Sequence, residues 1–205
     1  MSNEYYIQNS EGEKQGPYTH NQLAAQQIAL DTLVLPSATN TWQKACDLPE
    51  LNDYFEKQGY WFPTEVNLAS FWWRLLAYGI DTIILTVGFL FAVYFLNIDV
   101  ATVNSKKDEN LLLFQLAAFG IVILYHSIFE ATPLRGSLGK KIIGLAVVDA
   151  NGKRLSLPKA LLRNVSRVVS TLPLWIGYFA VLWTDHRQAW HDQIAKTYII
   201  KRDQA

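Results

Sequence analysis

Two charged residues interrupt a long apolar run, FWWRLLAYGIDTIILTVGFLFAVYFL at residues 71–96. Arg74 and Asp81 are seven residues apart, about two helical turns, so a helix places both on one face with Tyr78 between them. A charge at membrane depth costs about 2.5–3.5 kcal/mol, and each side chain therefore needs a partner, another helix or a wet cavity. Two interpretations follow: a buried polar site, or an Arg74 that reaches the headgroups beside two tryptophans while Asp81 only fixes helix packing.

A second apolar run spans residues 111–131 and carries three polar residues, Gln115, His126 and Glu130. Their spacing places all three on one helix face, which is expected to point into a bundle. Arg74 near the start of the first run and Glu130 near the end of the second reach similar depth in antiparallel helices. We expect these two to form an ion pair, with His126 and Asp81 deeper.

Both runs are long enough, at 1.5 Å rise per residue, to cross a hydrocarbon core of about 30 Å. Residues 157–171 and 174–183 are shorter apolar stretches separated by Leu172-Pro173. They predict a broken or re-entrant third segment, with one long kinked span as the alternative. The expected fold is an α-helical integral membrane domain, residues 69–205, with two full spanning helices, this third segment and a small cytoplasmic β element.

The distribution of basic residues predicts the topology. Residues 132–160 contain six Lys and Arg, against two, Lys106 and Lys107, in the loop between the first two helices. By the positive-inside rule the longer loop and the N-terminal region are cytoplasmic, in a multi-pass protein of the inner (plasma) membrane. Residues 142–149 and 153–157 about Asn151-Gly152 predict a hairpin. Pairing residues 196–201 with it would make the C-terminus cytoplasmic.

Composition excludes several functions. The 205 residues include 18 basic and 18 acidic side chains, a neutral balance that argues against nucleic-acid binding. The single cysteine, Cys46, excludes an intramolecular disulfide and gives no metal-ligand spacing. No nucleophile elbow or phosphate loop is present, so neither an enzyme nor a cofactor is expected. The segment GSLGKK at residues 136–141 is predicted to be a tight cytoplasmic turn with lipid-facing lysines.

Residues 1–55 are predicted to be a small soluble α+β domain. Residues 5–9 predict a strand, Gly16-Pro17 a turn, residues 19–29 a helix with a capping box at Thr19, and residues 33–35 a strand. The expected core consists of Tyr6, Leu23, Leu33, Val34, Trp42 and Leu51. Residues 56–68 are predicted to be an interfacial linker, because amphipathic aromatic rings favour the membrane interface.

This pattern resembles the GYF-like family (GYF_2, DUF4339-type) over residues 4–51. The features that carry the resemblance are Tyr5-Tyr6, Gly16-Pro17-Tyr18, Leu23, Leu33-Val34 and Trp42. The resemblance implies an adaptor that holds a proline-rich peptide on aromatic side chains, here Tyr6, Tyr18 and Trp42. The alternative is that these three residues are simply core.

Residues 70–200 resemble the RDD family of bacterial membrane proteins, named for one Arg and two Asp. The matching features are Arg74 and Asp81, residues 136–141, 143–145 and 147–149, Leu162-Arg163-Asn164, and His191-Asp192 with Ala195 and Thr197. Asp192 is the preferred second Asp and Asp149 the alternative. The resemblance implies transport of unidentified ligands, with some relatives linked to cation/proton antiport.

Two functions are therefore expected. A transporter of a small solute or cation would use buried polar residues, namely Arg74, Asp81, His126, Glu130, Arg163 and Asp192, with Asp81 as the group that exchanges protons. So few membrane segments would require a homo-oligomer to enclose a path. The alternative is a membrane-bound adaptor whose partners are the lipid bilayer and a proline-rich peptide.

Overall fold

The computed structural model describes residues 4–9, 12–97 and 108–202. Lys106 and Lys107, on which the topology prediction depends in part, lie outside these ranges. The chain forms two compact units, of which the first ends at Phe62 and the second begins at Pro63.

The N-terminal unit is a four-stranded antiparallel sheet with two short helices. Its elements are β1 (Tyr5–Gln8), β2 (Lys14–Tyr18), α1 (His20–Ala25), β3 (Leu33–Pro36), β4 (Gln43–Lys44) and α2 (Asn52–Lys57), with 3-10 turns at Ala45–Asp47 and Pro49–Leu51. The strand order is β2-β1-β3-β4. The predicted small α+β architecture is therefore confirmed.

Local signals in this unit were correct in part. The capping box at Thr19 is present: the backbone N–H of Thr19 donates to Gln22 Oε1 at 2.9 Å, and that of Gln22 donates to Thr19 Oγ1 at 3.4 Å. The helix is shorter than predicted because it ends at Ala25. The predicted turn at Gly16-Pro17 is wrong, since both residues lie within β2. Gly16 has φ 137° there, and a Cβ would lie 2.8 Å from the Tyr5 carbonyl oxygen.

The core of the N-terminal unit differs from the prediction in strand β1, where the inward-facing residue is Tyr5 and not Tyr6. Leu23, Val34 and Leu51 are fully buried as predicted, but β1 turns Tyr5 inward and leaves Tyr6 half-buried. Two other predicted core residues, Leu33 and Trp42, are exposed at the surface.

Residues beyond 55 add to this core. The Phe55 ring contacts those of Tyr60 and Phe62, with centroids 6.0 and 5.8 Å apart. The N-terminal unit thus includes part of the predicted interfacial linker. Contact of residues 56–68 with a bilayer stays a prediction.

The second unit contains the predicted apolar helices. Its elements are α3 (Phe71–Phe95), α4 (Asp108–Ala131), α5 (Leu138–Ile142), β5 (Leu145–Asp149), α6 (Leu157–Val165), α7 (Arg167–Thr171), α8 (Ile176–Phe179), α9 (Trp190–Ile194) and β6 (Thr197–Lys201), with a 3-10 turn at Ala180–Leu182. By length and composition, α3 and residues 111–131 of α4 are each sufficient to cross a membrane. The two halves of the third segment, Leu157–Thr171 and Ile176–Leu182, are bent by 114°, which agrees with the predicted broken or re-entrant segment.

The small β element is assembled differently from the predicted hairpin. Strand β5 pairs antiparallel with β6, from Leu145 opposite Lys201 to Asp149 opposite Thr197. The predicted pairing of the C-terminal run is therefore correct, whereas residues 153–156 form no strand. They follow a turn in which Asp149 Oδ1 accepts the backbone N–H groups of Asn151 and Lys153 at 2.9 and 2.8 Å. Four residues after that turn, α6 begins at Leu157.

A buried network of charged side chains

Arg163 is the centre of a charged network inside the membrane unit. Helix α6 buries Ala160, Arg163 and Asn164, which recur at helical spacing on one face. The guanidinium of Arg163 donates from Nε and Nη2 to Asp192 Oδ1, at 2.9 and 2.7 Å, and from Nη1 to Glu130 Oε1 at 2.5 Å. A planar guanidinium suits this role because its donors point in fixed directions toward two carboxylates. Arg163 thereby joins α6 to α4 and α9.

Arg74 extends the network from α3. Its Nη1 atom donates to Asp192 Oδ2 at 2.5 Å, and its Nε and Nη2 atoms donate to the carbonyl oxygens of Ala69 and Arg187 at 3.2 and 2.5 Å. The predicted Arg74–Glu130 ion pair is therefore wrong, and so is the alternative of an Arg74 directed at the headgroups. Arg74 and Glu130 lie at similar depth if only the two spanning helices are considered, but α9 supplies a carboxylate, Asp192, that Arg74 contacts directly.

Glu130 accepts hydrogen bonds from several donors at the end of α4. Lys140 Nζ lies 2.6 Å and Arg163 Nη1 2.5 Å from its Oε1 atom, and Asn164 Nδ2 lies 3.0 Å from Oε2. The prediction of lipid-facing lysines is wrong for Lys140, which is buried, while its neighbour Lys141 is exposed. Burial lowers the pKa of Lys140 to about 8, against the opposing attraction of Glu130.

Asp192 lies in the first turn of α9 and is fully buried. Burial alone would raise the pKa of its carboxyl group, but the guanidinium groups of Arg163 and Arg74 outweigh it and hold that pKa well below the usual range. The adjacent His191 hydrogen-bonds through Nδ1 to Ser170 Oγ at 3.0 Å, and burial lowers its pKa to about 3. The network thus contains an ionised Asp192 beside a neutral His191.

Asp81 contacts a separate set of residues. Its carboxylate accepts from Ser137 Oγ at 2.5 Å, Tyr125 OH at 2.8 Å and the backbone N–H of Gly139 at 2.8 Å. These donors connect α3 to α4 and to the first turn of α5. Tyr78 is 62% exposed and does not lie on the buried face with Asp81, contrary to the prediction. The tyrosine that reaches Asp81 comes instead from α4.

The predicted polar stripe of α4 is only partly buried. His126 and Glu130 are 3% and 0% exposed, whereas Gln115 is exposed. Helix α6 is short and packs along α4 near Ser127 and Glu130, where Asn164 Nδ2 donates to Ser127 Oγ at 3.1 Å. Gln115 lies about three turns earlier in α4, where the short helix α6 does not extend.

Several network residues were not predicted as site residues: Lys140, Asn164, Arg167 and His191. The sequence spacing indicated one of them: Arg167 follows Arg163 by four residues, which in a continuous helix places both on the same face. The burial of Lys140 had no signal in the sequence, since it depends on where α5 packs.

Two long apolar helices, a bent third segment and ion pairs buried among them define an α-helical membrane domain. The pattern of the RDD family matches residues 68–196, well over half of the chain, and the protein belongs to the RDD family. Residues 5–51 match GYF domain 2.

Two relatives from Bacillus subtilis (strain 168) align with the chain. Uncharacterized protein YxaI is 31% identical over 146 residues, which cover 64% of this chain and 96% of that protein. Uncharacterized protein YckC is 31% identical over 137 residues, covering 64% of this chain and 83% of that protein. No solved structure matches the chain.

Proposed function

We propose that the membrane domain binds a small solute at the buried charged network and moves it across the bilayer. The observation that carries the proposal is the network itself, six charged side chains linked within the bundle by ion pairs. Well-packed apolar residues stabilise a bundle at least as well as buried ion pairs do. Charged residues at membrane depth are costly and typically mark solute or ion pathways.

The hydrogen bonds favour a solute other than a bare cation. Asp81, Glu130 and Asp192 each accept three or more hydrogen bonds from described residues. A cation would have to displace these donors before it could be bound by the carboxylates. The contacts of Asp81 also suit a role in positioning α5 rather than in carrying protons. Cation/proton exchange is the alternative within this proposal.

The path would require several copies of the chain. In the apolar 18-residue stretch of α3, only 11% of the residues are buried within one chain, and the same fraction is buried in residues 111–131 of α4. These faces are free to contact lipid or other copies. We place the protein in the plasma membrane, with the N-terminal unit and residues 132–160 on the cytoplasmic side, as the distribution of basic residues favours.

Flux into vesicles tests the proposal. The purified chain is reconstituted in phosphatidylcholine vesicles that contain a pH dye, and sodium, potassium, lithium, phosphate and acetate gradients are applied in turn, with a potential-sensitive dye in parallel. We expect flux in wild type and in the exposed control Arg154→Gln. Flux should be reduced in Arg163→Lys, which keeps the positive charge but removes the planar guanidinium that binds two carboxylates.

The alternative within the proposal has its own variant. A cation-driven pH change that is present in wild type and absent in Asp81→Asn would establish proton exchange at Asp81. Folded wild-type protein that moves none of these ions would count against transport and favour an adaptor function of the N-terminal unit.

A second function, peptide recruitment by the N-terminal unit, is favoured by its surface aromatics. Trp42 is 40% exposed and Tyr6 is half-buried, so both side chains remain partly accessible at the surface. Tyr18, by contrast, packs against the hydrophobic core. Exposed aromatic rings are the surfaces on which polyproline segments dock. A pull-down with proline-rich peptides on residues 1–62 tests this function, with Trp42→Ala checked for folding by circular dichroism. Failure of the wild-type fragment to enrich any such peptide would leave the unit a structural role.

A further inference from the structure

The buried network does not balance its charges. Its ion pairs, including the longer Arg167–Glu130 contact at 3.8 Å, join four cationic side chains, Arg74, Lys140, Arg163 and Arg167, to two carboxylates, Glu130 and Asp192. Among the residues that the structure describes, two positive charges of the network therefore remain uncompensated. The donors that Asp81 contacts among the described residues are all neutral, and counting Asp81 with the network would still leave one positive charge.

The excess charge lies beside buried nitrogen atoms that have no hydrogen-bond partner among the described residues. The Nε atom of Arg167 is buried and has no hydrogen-bond partner among the described residues, and its Nη2 atom is 3.8 Å from Glu130 Oε1, beyond hydrogen-bond distance. His126, 3% exposed, likewise has a buried Nδ1 atom without a partner in the described part of the chain. Buried polar atoms are almost always hydrogen-bonded, so these two nitrogens can pair with a ligand, as can the Asn164 Oδ1 atom, which also has no partner among the described residues.

The two groups belong to one region of the bundle. His126 precedes Glu130 by four residues on α4 and lies on the same helical face, while Arg167 at the start of α7 approaches the same carboxylate. Glu130 would repel an anion, but Lys140 and Arg163 already neutralise it at 2.6 and 2.5 Å. The Arg167 side chain is 17% exposed, so this group lies at an edge of the bundle.

We infer that Arg167 and His126, flanked by Lys140, bind a phosphate group. A guanidinium group matches the geometry of phosphate oxygens, and a free phosphate or a phosphomonoester, with a charge of about −1.5 to −2 near pH 7, compensates the excess of two positive charges, which a monovalent carboxylate or a phosphodiester would not. The group belongs either to a free phosphate or to a phosphomonoester lipid headgroup, because Glu130 lies next to the end of α4. This inference deepens the proposed function by naming the chemical class of its solute.

Binding to the full-length chain tests the inference. The purified protein is placed in phosphatidylcholine nanodiscs and titrated with inorganic phosphate, with chloride at matched ionic strength as the control anion. We expect phosphate to raise the melting temperature of wild type and of Arg154→Gln, an exposed matched control. Arg167→Gln should weaken phosphate binding by about tenfold to a hundredfold, and Arg167→Lys should restore part of it.

A second readout separates lost binding from lost folding. Without phosphate, Arg167→Gln should melt at the wild-type temperature or above, because the substitution removes an uncompensated buried charge. His126→Gln provides an independent variant on another helix and should also weaken phosphate binding.

The lipid source has its own arm. In nanodiscs with phosphatidic acid, native mass spectrometry should find retained lipid on wild type but not on Arg167→Gln if the headgroup supplies the phosphate, and the phosphodiester phosphatidylglycerol serves as the control lipid. The inference would be overturned if wild type and Arg167→Gln bound phosphate equally and bound anionic lipid equally. It would also be overturned if wild type bound neither. Phosphate binding without flux would uphold the site and refute transport. Flux without phosphate or lipid binding would uphold transport and refute the site.

Discussion

Replacing Gly139 by Ala is expected to push α5 away from α3. Gly139 lies in the first turn of α5, where its backbone N–H donates to Asp81 Oδ1 at 2.8 Å. A Cβ at this position would lie 2.9 Å from both the Cγ atom and the backbone nitrogen of Asp81, and would also collide with the Ala77 carbonyl oxygen. The absence of a side chain is therefore what lets α5 reach the buried carboxylate.

The magnitude follows from the distances. Carbon contacts normally lie at about 3.5–4.0 Å, so α5 would have to move by about 0.5–1 Å, enough to break the hydrogen bond to Asp81. Overpacking costs about 1–3 kcal/mol and loss of a hydrogen bond to a charged acceptor about 1.5–3 kcal/mol. Replacing a helical glycine by alanine returns about 1 kcal/mol. We expect a net loss of about 2–4 kcal/mol in the free energy of unfolding.

Thermal melting of purified protein, followed by fluorescence-detected size exclusion, measures this loss. A change of that size corresponds to a melting temperature lower by roughly 5–15 °C for a chain of this length. Gly79→Ala is the matched control, because Gly79 lies in α3 and a Cβ there would meet nothing within 4 Å. The reasoning fails if Gly139→Ala and Gly79→Ala melt within about 1 °C of each other.

Other predictions address the network, the N-terminal unit and the topology. Lys140→Met should lower the free energy of unfolding by about 1–3 kcal/mol and Lys141→Met by less than about 0.5 kcal/mol, and equal melting of the two would contradict the burial argument. Burial lowers the pKa of His191 from 6.5 to about 3, so the unfolded chain binds more protons between these values and stability falls with decreasing pH, by about 2 kcal/mol at pH 5. His191→Gln should flatten that pH profile, and a profile as steep as wild type would exclude His191 as its source. A fragment ending at residue 62 should melt above one ending at residue 55, because Tyr60 and Phe62 pack on its core. A cysteine at Lys153 should react with an impermeant reagent only after cells are opened, and labelling in intact cells would reverse the topology.

Prediction succeeded where the cause was local. The capping box at Thr19 depends on residues three positions apart, and the break at Leu172-Pro173 depends on the ring of one proline. The two spanning helices follow from the length and hydropathy of single segments. None of these features needs a distant partner, so each was visible in a short window of sequence.

Prediction failed where side chains had to find partners across the chain. Arg74 and Asp192 are separated by 118 positions, and the depth argument that paired Arg74 with Glu130 did not include the short helix α9. The hairpin failed in a similar way, because β5 pairs with the distant β6 rather than with the residues that follow its turn. Tyr5 and Tyr6 show the smallest such error, since both are aromatic and only the register of β1 decides which one is buried.

The sequence by itself determined that this is a membrane protein with a small α+β unit ahead of it, and that the charges inside its apolar segments, such as Asp81 and Glu130, had to be buried. An apolar segment that carries a charge must hide that charge, whatever the rest of the chain does. Only the tertiary structure decided that Arg163 lies between Glu130 and Asp192, that Lys140 is buried while Lys141 is not, and that the cations outnumber the carboxylates. The physical reason is that the cost of burying a charge is a property of the segment, whereas the partner that compensates it is set by how the short helices pack.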